Sequence, residues 1–288
     1  MRPPALPPDW PFRDCSRHVA VAPHLWHVTE TGAGPTLILL HGAGGASHSW
    51  RGLIPLLAPH FHLVAIDLPG QGFTVLGDRG RCGLDAMAED LSRLIAAQGW
   101  QPAALVGHSA GAALALRLAE MRPTVAVVGV NAALGHFDGV AGWLFPAMAR
   151  LLALTPFVAR AFSRMFGTPA QAERLIVSTG SRLDAAGLAQ YLHLLRRPAH
   201  VDATLAMMAQ WSLDPLLARL PRLAVPVLLI TGGADRAVPP AVSRDAVQRI
   251  AGARWVDLPG LGHLAHEEDP AAVARLILGF PPLVAGAV

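Results

Sequence analysis

The chain has 288 residues, 52% of them hydrophobic and 15% charged, with a formal net charge of +3. That length and apolar content fit one large domain with an insertion, or two small domains, and exclude a disordered chain; the scattered basicity argues against a nucleic-acid partner. All 23 basic side chains are Arg, so a phosphate loop of the Walker type lacks its Lys and a Schiff-base enzyme lacks its amine.

Residues 1–20 are Pro-rich and read as an irregular arm without the apolar core of a signal peptide, which sets a cytoplasmic expectation. The two cysteines, Cys15 and Cys82, have no metal-ligand or CxxC spacing and read as free thiols. Residues 25–30 alternate as an edge strand would, and residues 36–40 form a continuous apolar run, the pattern of a strand buried on both faces. A Gly-rich turn follows, His41-Gly42-Ala43-Gly44-Gly45. It lacks the GxGxxG spacing of a phosphate loop, and the Ala43 N–H, with Gly44 as its neighbour, is a candidate oxyanion donor.

Residues 47–58 read as a helix and 61–66 as a second buried strand. The turn from Asp67 to Phe73 comes next, in which Asp67 suits a structural hydrogen bond better than catalysis. Apolar residues at 84, 87, 91, 94 and 95 give a helical period. The run 104–113 then passes from a strand through Gly107-His108-Ser109-Ala110-Gly111 into an Ala-rich helix. A serine between two glycines on a strand-to-helix turn is the nucleophile-elbow pattern, and the Ala110 N–H at the helix start is the second oxyanion donor. A strand at 125–130 completes an alternation of strands and helices. It calls for a mostly parallel sheet with helices on both faces and places His41, Asp67, Ser109 and Asn131 along one edge.

Composition changes near residue 136. Residues 136–212 carry no strand signal and read as a helical cap inserted between a core of residues 1–135 and 213–288. With His41 and His108, the apolar Trp143, Met148 and Met208 are the candidate substrate-pocket residues. Arg150, Arg160 and Arg164 interrupt the first apolar stretch and could let the cap rest on a membrane surface. His193 and His200 are candidate ligands for a pigment metal, with solvent-facing imidazoles the simpler reading.

The sheet resumes at 226–231, followed by Gly232-Gly233-Ala234-Asp235. A last strand, 254–258, leads into Gly260-Leu261-Gly262-His263 and a final helix at 271–278. Ser109, Asp235 and His263 thus follow three strands in the order nucleophile, acid, base. A serine hydroxyl needs a base to take its proton as it attacks. An imidazole does so near neutral pH, and a carboxylate fixes its tautomer. Asp138 is the fallback acid. Neither His263 with His266 nor His60 with His62 has a third ligand nearby, so no metal or other cofactor is expected.

These motifs, with Glu268-Asp269-Pro270, resemble the α/β-hydrolase superfamily. Pro8-Asp9-Trp10-Pro11, Ser47-His48-Ser49-Trp50, Arg81-Cys82-Gly83-Leu84-Asp85 and Met207-Met208-Ala209-Gln210-Trp211 resemble, more narrowly, the magnesium chelatase accessory proteins of bacteriochlorophyll biosynthesis. The resemblance implies a tetrapyrrole-pathway role with magnesium chelatase subunits as partners. The residues themselves lead to a serine hydrolase of an apolar ester or tetrapyrrole-like substrate. The alternative is a tetrapyrrole-binding module that assists magnesium insertion without catalysis.

Overall fold

The computed structural model describes residues 2–123, 125–135 and 158–284. The strands are β1 (Ser16–Val21), β2 (His24–Thr31), β3 (Thr36–Leu40), β4 (His62–Ile66), β5 (Pro102–His108), β6 (Ala126–Val130), β7 (Val227–Gly232) and β8 (Arg254–Leu258). They form a single sheet in the order β1-β2-β4-β3-β5-β6-β7-β8. The β1–β2 and β2–β4 pairs are antiparallel and every other pair is parallel.

The unbroken apolar runs of the central strands follow from burial on both faces. Successive side chains point to opposite sides. Leu37, Leu39, Leu63, Ala65, Ala104 and Val106 face one core layer, with Trp50, Leu53 and Ile277. Ile38, Leu40, Val64, Ile66 and Leu105 face the other, with Leu91, Leu94 and Leu114. The second layer is supplied by α2 (Leu84–Ala97) and α3 (Ala110–Met121). The first is closed by α1 (Ile54–Leu57) and by α11 (Pro270–Leu278).

Two elements differ from the sequence reading. Residues 16–21 are not irregular: they form β1, the true edge, so the strand read at 25–30 lies one place inside the sheet. Val19 is the one fully buried residue of β1. Its backbone ladder to β2 holds it there, and a ladder leaves no hydrophobic pattern to read. The helix read over 47–58 is split into a 3₁₀ turn, Ser47–Trp50, and α1. Gly52 and Pro55 lie between and at the start of these pieces, where a glycine weakens a helix and a proline lacks the N–H to continue one.

Between β6 and β7 the described chain is helical: α4 (Val158–Phe166), α5 (Pro169–Ser178), α6 (Ala185–Leu195) and α7 (Pro198–Gln210). Thr168 caps α5 through the Gln171 N–H, and Asp184 caps α6 through the Gly187 N–H. Then follow α8 (Asp214–Arg219), α9 (Pro240–Val247), α10 (Ala265–Glu268) and α12 (Pro281–Val284). No described helix is long and apolar enough to cross a membrane.

Candidate active site

At the end of β5 the chain must turn back on itself to enter α3. A Cβ on Gly107 would lie 2.3 Å from the Gly111 carbonyl oxygen, and one on Gly111 would lie 2.1 Å from the Leu40 carbonyl oxygen. Both positions exclude any side chain, which explains the two glycines around the serine. Ser109 sits at φ 53°, ψ −117°, in the left-handed half of backbone space. This conformation is costly for a residue with a Cβ and is held here by its surroundings. Its N–H donates to the Val130 carbonyl (2.9 Å), and its own carbonyl accepts from Ala112 (3.0 Å) and Ala133 (3.1 Å). Ala110 opens α3 directly after it, so its N–H belongs to the positive end of the helix dipole.

The loop after β3 crosses close to this elbow. A Cβ on Gly42 would lie 2.8 Å from His108 Nδ1 and 3.0 Å from Ser109 Cβ. The Gly44 N–H is already spent on Gln71 Oε1 (2.8 Å). Of the two oxyanion candidates in this loop, the exposed Ala43 is therefore the one favoured over Gly44.

Asp235 and His263 come from the loops after β7 and β8. His263 Nδ1 donates to Asp235 Oδ2 at 2.8 Å. The other carboxylate oxygen, Oδ1, accepts the N–H groups of Ala237 (2.7 Å) and Val238 (2.9 Å). That geometry turns Nε2 of His263 away from the carboxylate. His108 Nε2 donates to the His263 carbonyl (2.9 Å), so the residue before the serine is tied to the histidine. The fallback acid Asp138 lies outside the described residues.

Of the pocket candidates, Trp143 and Met148 also lie outside the described residues. Both ring nitrogens of His41 are committed to backbone, whereas His108 commits Nε2 alone, to the His263 carbonyl. His41 Nδ1 donates to the Gly42 carbonyl (2.8 Å) and Nε2 accepts the Leu68 N–H (2.9 Å). Burial holds the basicity of both rings down, well down at His108. His41 thereby ties the loop after β3 to the turn after β4, and His108 ties the elbow to the loop after β8. Met208 is 46% exposed, whereas its neighbour Met207 is buried and its sulfur accepts from Gln71 Nε2 (3.1 Å). The Met207–Gln71–Gly44 chain thus runs from α7 to the loop after β3. Of the two histidines considered for a pigment metal, His200 is buried and not solvent-facing as the simpler reading had it. His200 Nδ1 accepts the Gly72 N–H (3.0 Å), a tautomer with its hydrogen on Nε2, and His193 pairs with Asp9 (3.3 Å).

Asp67 has the structural role expected of it. It is buried, accepting from His27 Nδ1 (2.7 Å), Ser47 N–H (2.6 Å) and Phe73 N–H (2.8 Å). Burial opposes its charge, but the His27 and His41 rings and these hydrogen bonds prevail, holding the carboxyl well below the usual range.

Two residues outside the candidate site residues tie these loops together. Gln71 pins the loop after β3, and Asn131, recognised only as an edge residue, bonds to Asp235 (2.5 Å). A polar residue after a buried strand was the sole signal for the latter.

Comparison with known proteins agrees with this architecture. The sequence profile of the alpha/beta hydrolase fold matches residues 35–270. A Rhodobacter capsulatus protein named magnesium-chelatase 30 kDa subunit is 47% identical over 282 residues, covering 97% of this chain and 99% of its own. A pimeloyl-[acyl-carrier protein] methyl ester esterase of Xanthomonas campestris is 29% identical over 88% of this chain and all of its own. The solved structure of an epoxide hydrolase, CorEH, superposes with a TM-score of 0.77 at 20% identity, over 92% of this chain and 97% of that one. The chain belongs to the α/β-hydrolase family, in company with the Rhodobacter capsulatus protein.

Proposed function

We propose that the protein is a serine hydrolase of an ester or related acyl bond, working beside magnesium chelatase in bacteriochlorophyll biosynthesis. The observation that carries the reading is the 2.8 Å hydrogen bond from His263 to Asp235, on loops tied through His108 to the strained Ser109 elbow. Ser109 Oγ attacks the acyl carbon as His263 Nε2 takes its proton. The oxyanion is met by the Ala43 and Ala110 N–H groups. His263 passes the proton to the departing alcohol, and a water activated by the same ring then releases the acid. Asp235 carries the charge that balances the imidazolium. The 47% identity to a chelatase-named protein supports the pathway, and the methyl ester esterase relative supports the bond type.

The test is labelling with an alkyl fluorophosphonate. The wild-type protein should be labelled with saturating kinetics and Ser109→Ala should not be; equal labelling of the two would sink the reading. The same chelatase relative favours a second reading, a tetrapyrrole-binding module. Under it Ser109→Ala would leave pigment synthesis intact, whereas the hydrolase reading requires its loss.

A further inference from the structure

Asn131 follows β6 at φ 48°, a left-handed conformation that asparagine tolerates better than most residues. Its flanking backbone is fastened to the elbow on both sides. Val130 accepts the Ser109 N–H, and Ala133 donates to the Ser109 carbonyl. Its own N–H donates to the Ile230 carbonyl at 2.7 Å, fixing it against β7. From this anchor the side chain reaches both other loops. Nδ2 donates to Asp235 Oδ2 (2.5 Å) and to the Gly262 carbonyl (3.1 Å), and Oδ1 accepts the Gly232 N–H (3.1 Å). The amide orientation is forced, because a backbone N–H on one side and two oxygens on the other admit no flip.

Asp235 Oδ2 is therefore shared. The same oxygen that accepts His263 Nδ1–H accepts an Asn131 N–H. A donor on a carboxylate oxygen draws off negative charge that would otherwise stabilise the neighbouring imidazolium. It also fixes the oxygen in the plane where the imidazole meets it. Meanwhile the bond to Gly262 places the residue directly before His263. One side chain thus sets the spacing between acid and base relative to the serine.

We propose that Asn131 is a positioning residue that holds the Asp235–His263 pair in register with Ser109 and moderates the pull of Asp235 on the imidazolium. The inference rests on the hydrolase reading for its catalytic meaning. The charged and titratable groups that meet His263 are Asp235 from the loop after β7, His108 from β5 and His266 from α10. His108 and His266 are both buried, with basicity lowered first by that burial. Asn131 adds no charge of its own, so its influence passes through Asp235.

The experiment pairs two readouts on the full-length protein. The first is the NMR titration of the His263 ring, and the second is the pH profile of fluorophosphonate labelling. Asn131→Gly removes the side chain and suits the backbone angle, and Asn131→Ala removes the amide donor while keeping a Cβ. In both, the His263 titration should move to higher pH, by about one unit. The acid limb of the labelling profile should move with it, and Asn131→Gly should label about tenfold more slowly at its optimum. A folded variant that titrates and labels as wild type does overturns the proposal, and Asn131→Ala decides the matter if Asn131→Gly does not fold. A shifted titration in a protein never labelled at Ser109 would defeat the hydrolase reading and leave the positioning role standing.

Discussion

Gly111 isolates what a single atom costs at the elbow. An added Cβ meets the Leu40 carbonyl at 2.1 Å and the His41 carbonyl at 2.6 Å, both backbone, at the end of β3 and the start of the loop that follows it. Gly111→Ala is expected to destabilise the fold by about 3 kcal/mol or more and to abolish Ser109 labelling, since the relief is for β3 and α3 to part. Gly252 is the control: its φ is 73° but nothing lies within 4 Å of a Cβ, so Gly252→Ala should cost only the backbone penalty of about 1 kcal/mol and leave labelling unchanged. Denaturant melts of both variants check the contrast, and equal losses would contradict it. The same distinction explains what the sequence discloses at this scale. The turns that carry Ser109, Asp235 and His263 were legible because each is a local turn written in adjacent residues. The roles of Asn131 and Gln71 were not legible, because they arise where separate loops meet. Met207 and Met208 differ by one step around α7, and which of them faces the core is decided by packing.

Among the described elements, the turn between α5 and α6 bonds directly to the loops that carry Asp235 and His263. The Thr179 carbonyl accepts the Arg236 N–H (3.0 Å), and Ser181 Oγ accepts the Leu264 N–H (2.7 Å). These partners adjoin Asp235 and His263. Farther along, Tyr191 on α6 donates to Glu267 Oε1 (2.6 Å), and Arg51 pairs with the other oxygen of that carboxylate. By contrast, α7 is also linked to the loop after β4 by the exposed pair Arg79–Asp202 (3.0 Å). Ser181→Ala strands a buried N–H and should cost about 2 kcal/mol, together with a lower kcat for any ester the wild type turns over. Asp202→Asn should cost under about 0.5 kcal/mol and leave kcat alone, as exposed ion pairs generally do. Parallel melts and turnover measurements test this, and a larger loss at Asp202 would reverse the assignment. The helical character of this region could be read from its period and its missing strand signal. Its fastening could not, since Ser181 and Tyr191 carry no local pattern that names a partner eighty residues away in sequence.

Across the whole molecule, buried neutral histidines give the fold a defined response to acid. Burial drives His200 and His266 down to about 3, against an ordinary value near 6.5, and lowers His41, His48 and His108 in the same direction. For His200 the nearby His41 ring and Arg197 add to the effect, while Asp67 opposes it. In the unfolded chain these rings take up a proton as pH falls through about 6.5; in the native state they do not until about 3. The unfolded state thus binds more protons across that window, so stability falls as pH falls. Each such histidine contributes a slope of up to about 1.4 kcal/mol per pH unit. Glu267 acts in the opposite sense. Burial raises it to about 7 despite Arg51 and Tyr191, so from pH 7 down to about 4.5 the native state holds a proton the unfolded chain lacks. With several histidines against one glutamate, the net slope between pH 6 and 4.5 is positive. Asparagine at position 200 offers an oxygen to the Gly72 N–H without a titrating ring. His200→Asn should flatten the stability–pH slope by up to about 1.4 kcal/mol per unit, and Glu267→Gln should steepen it. Urea denaturation at half-unit steps measures both. A His200→Asn slope that matches the wild type would mean that this ring is already charged in the folded protein, against the tautomer that its bond to Gly72 requires.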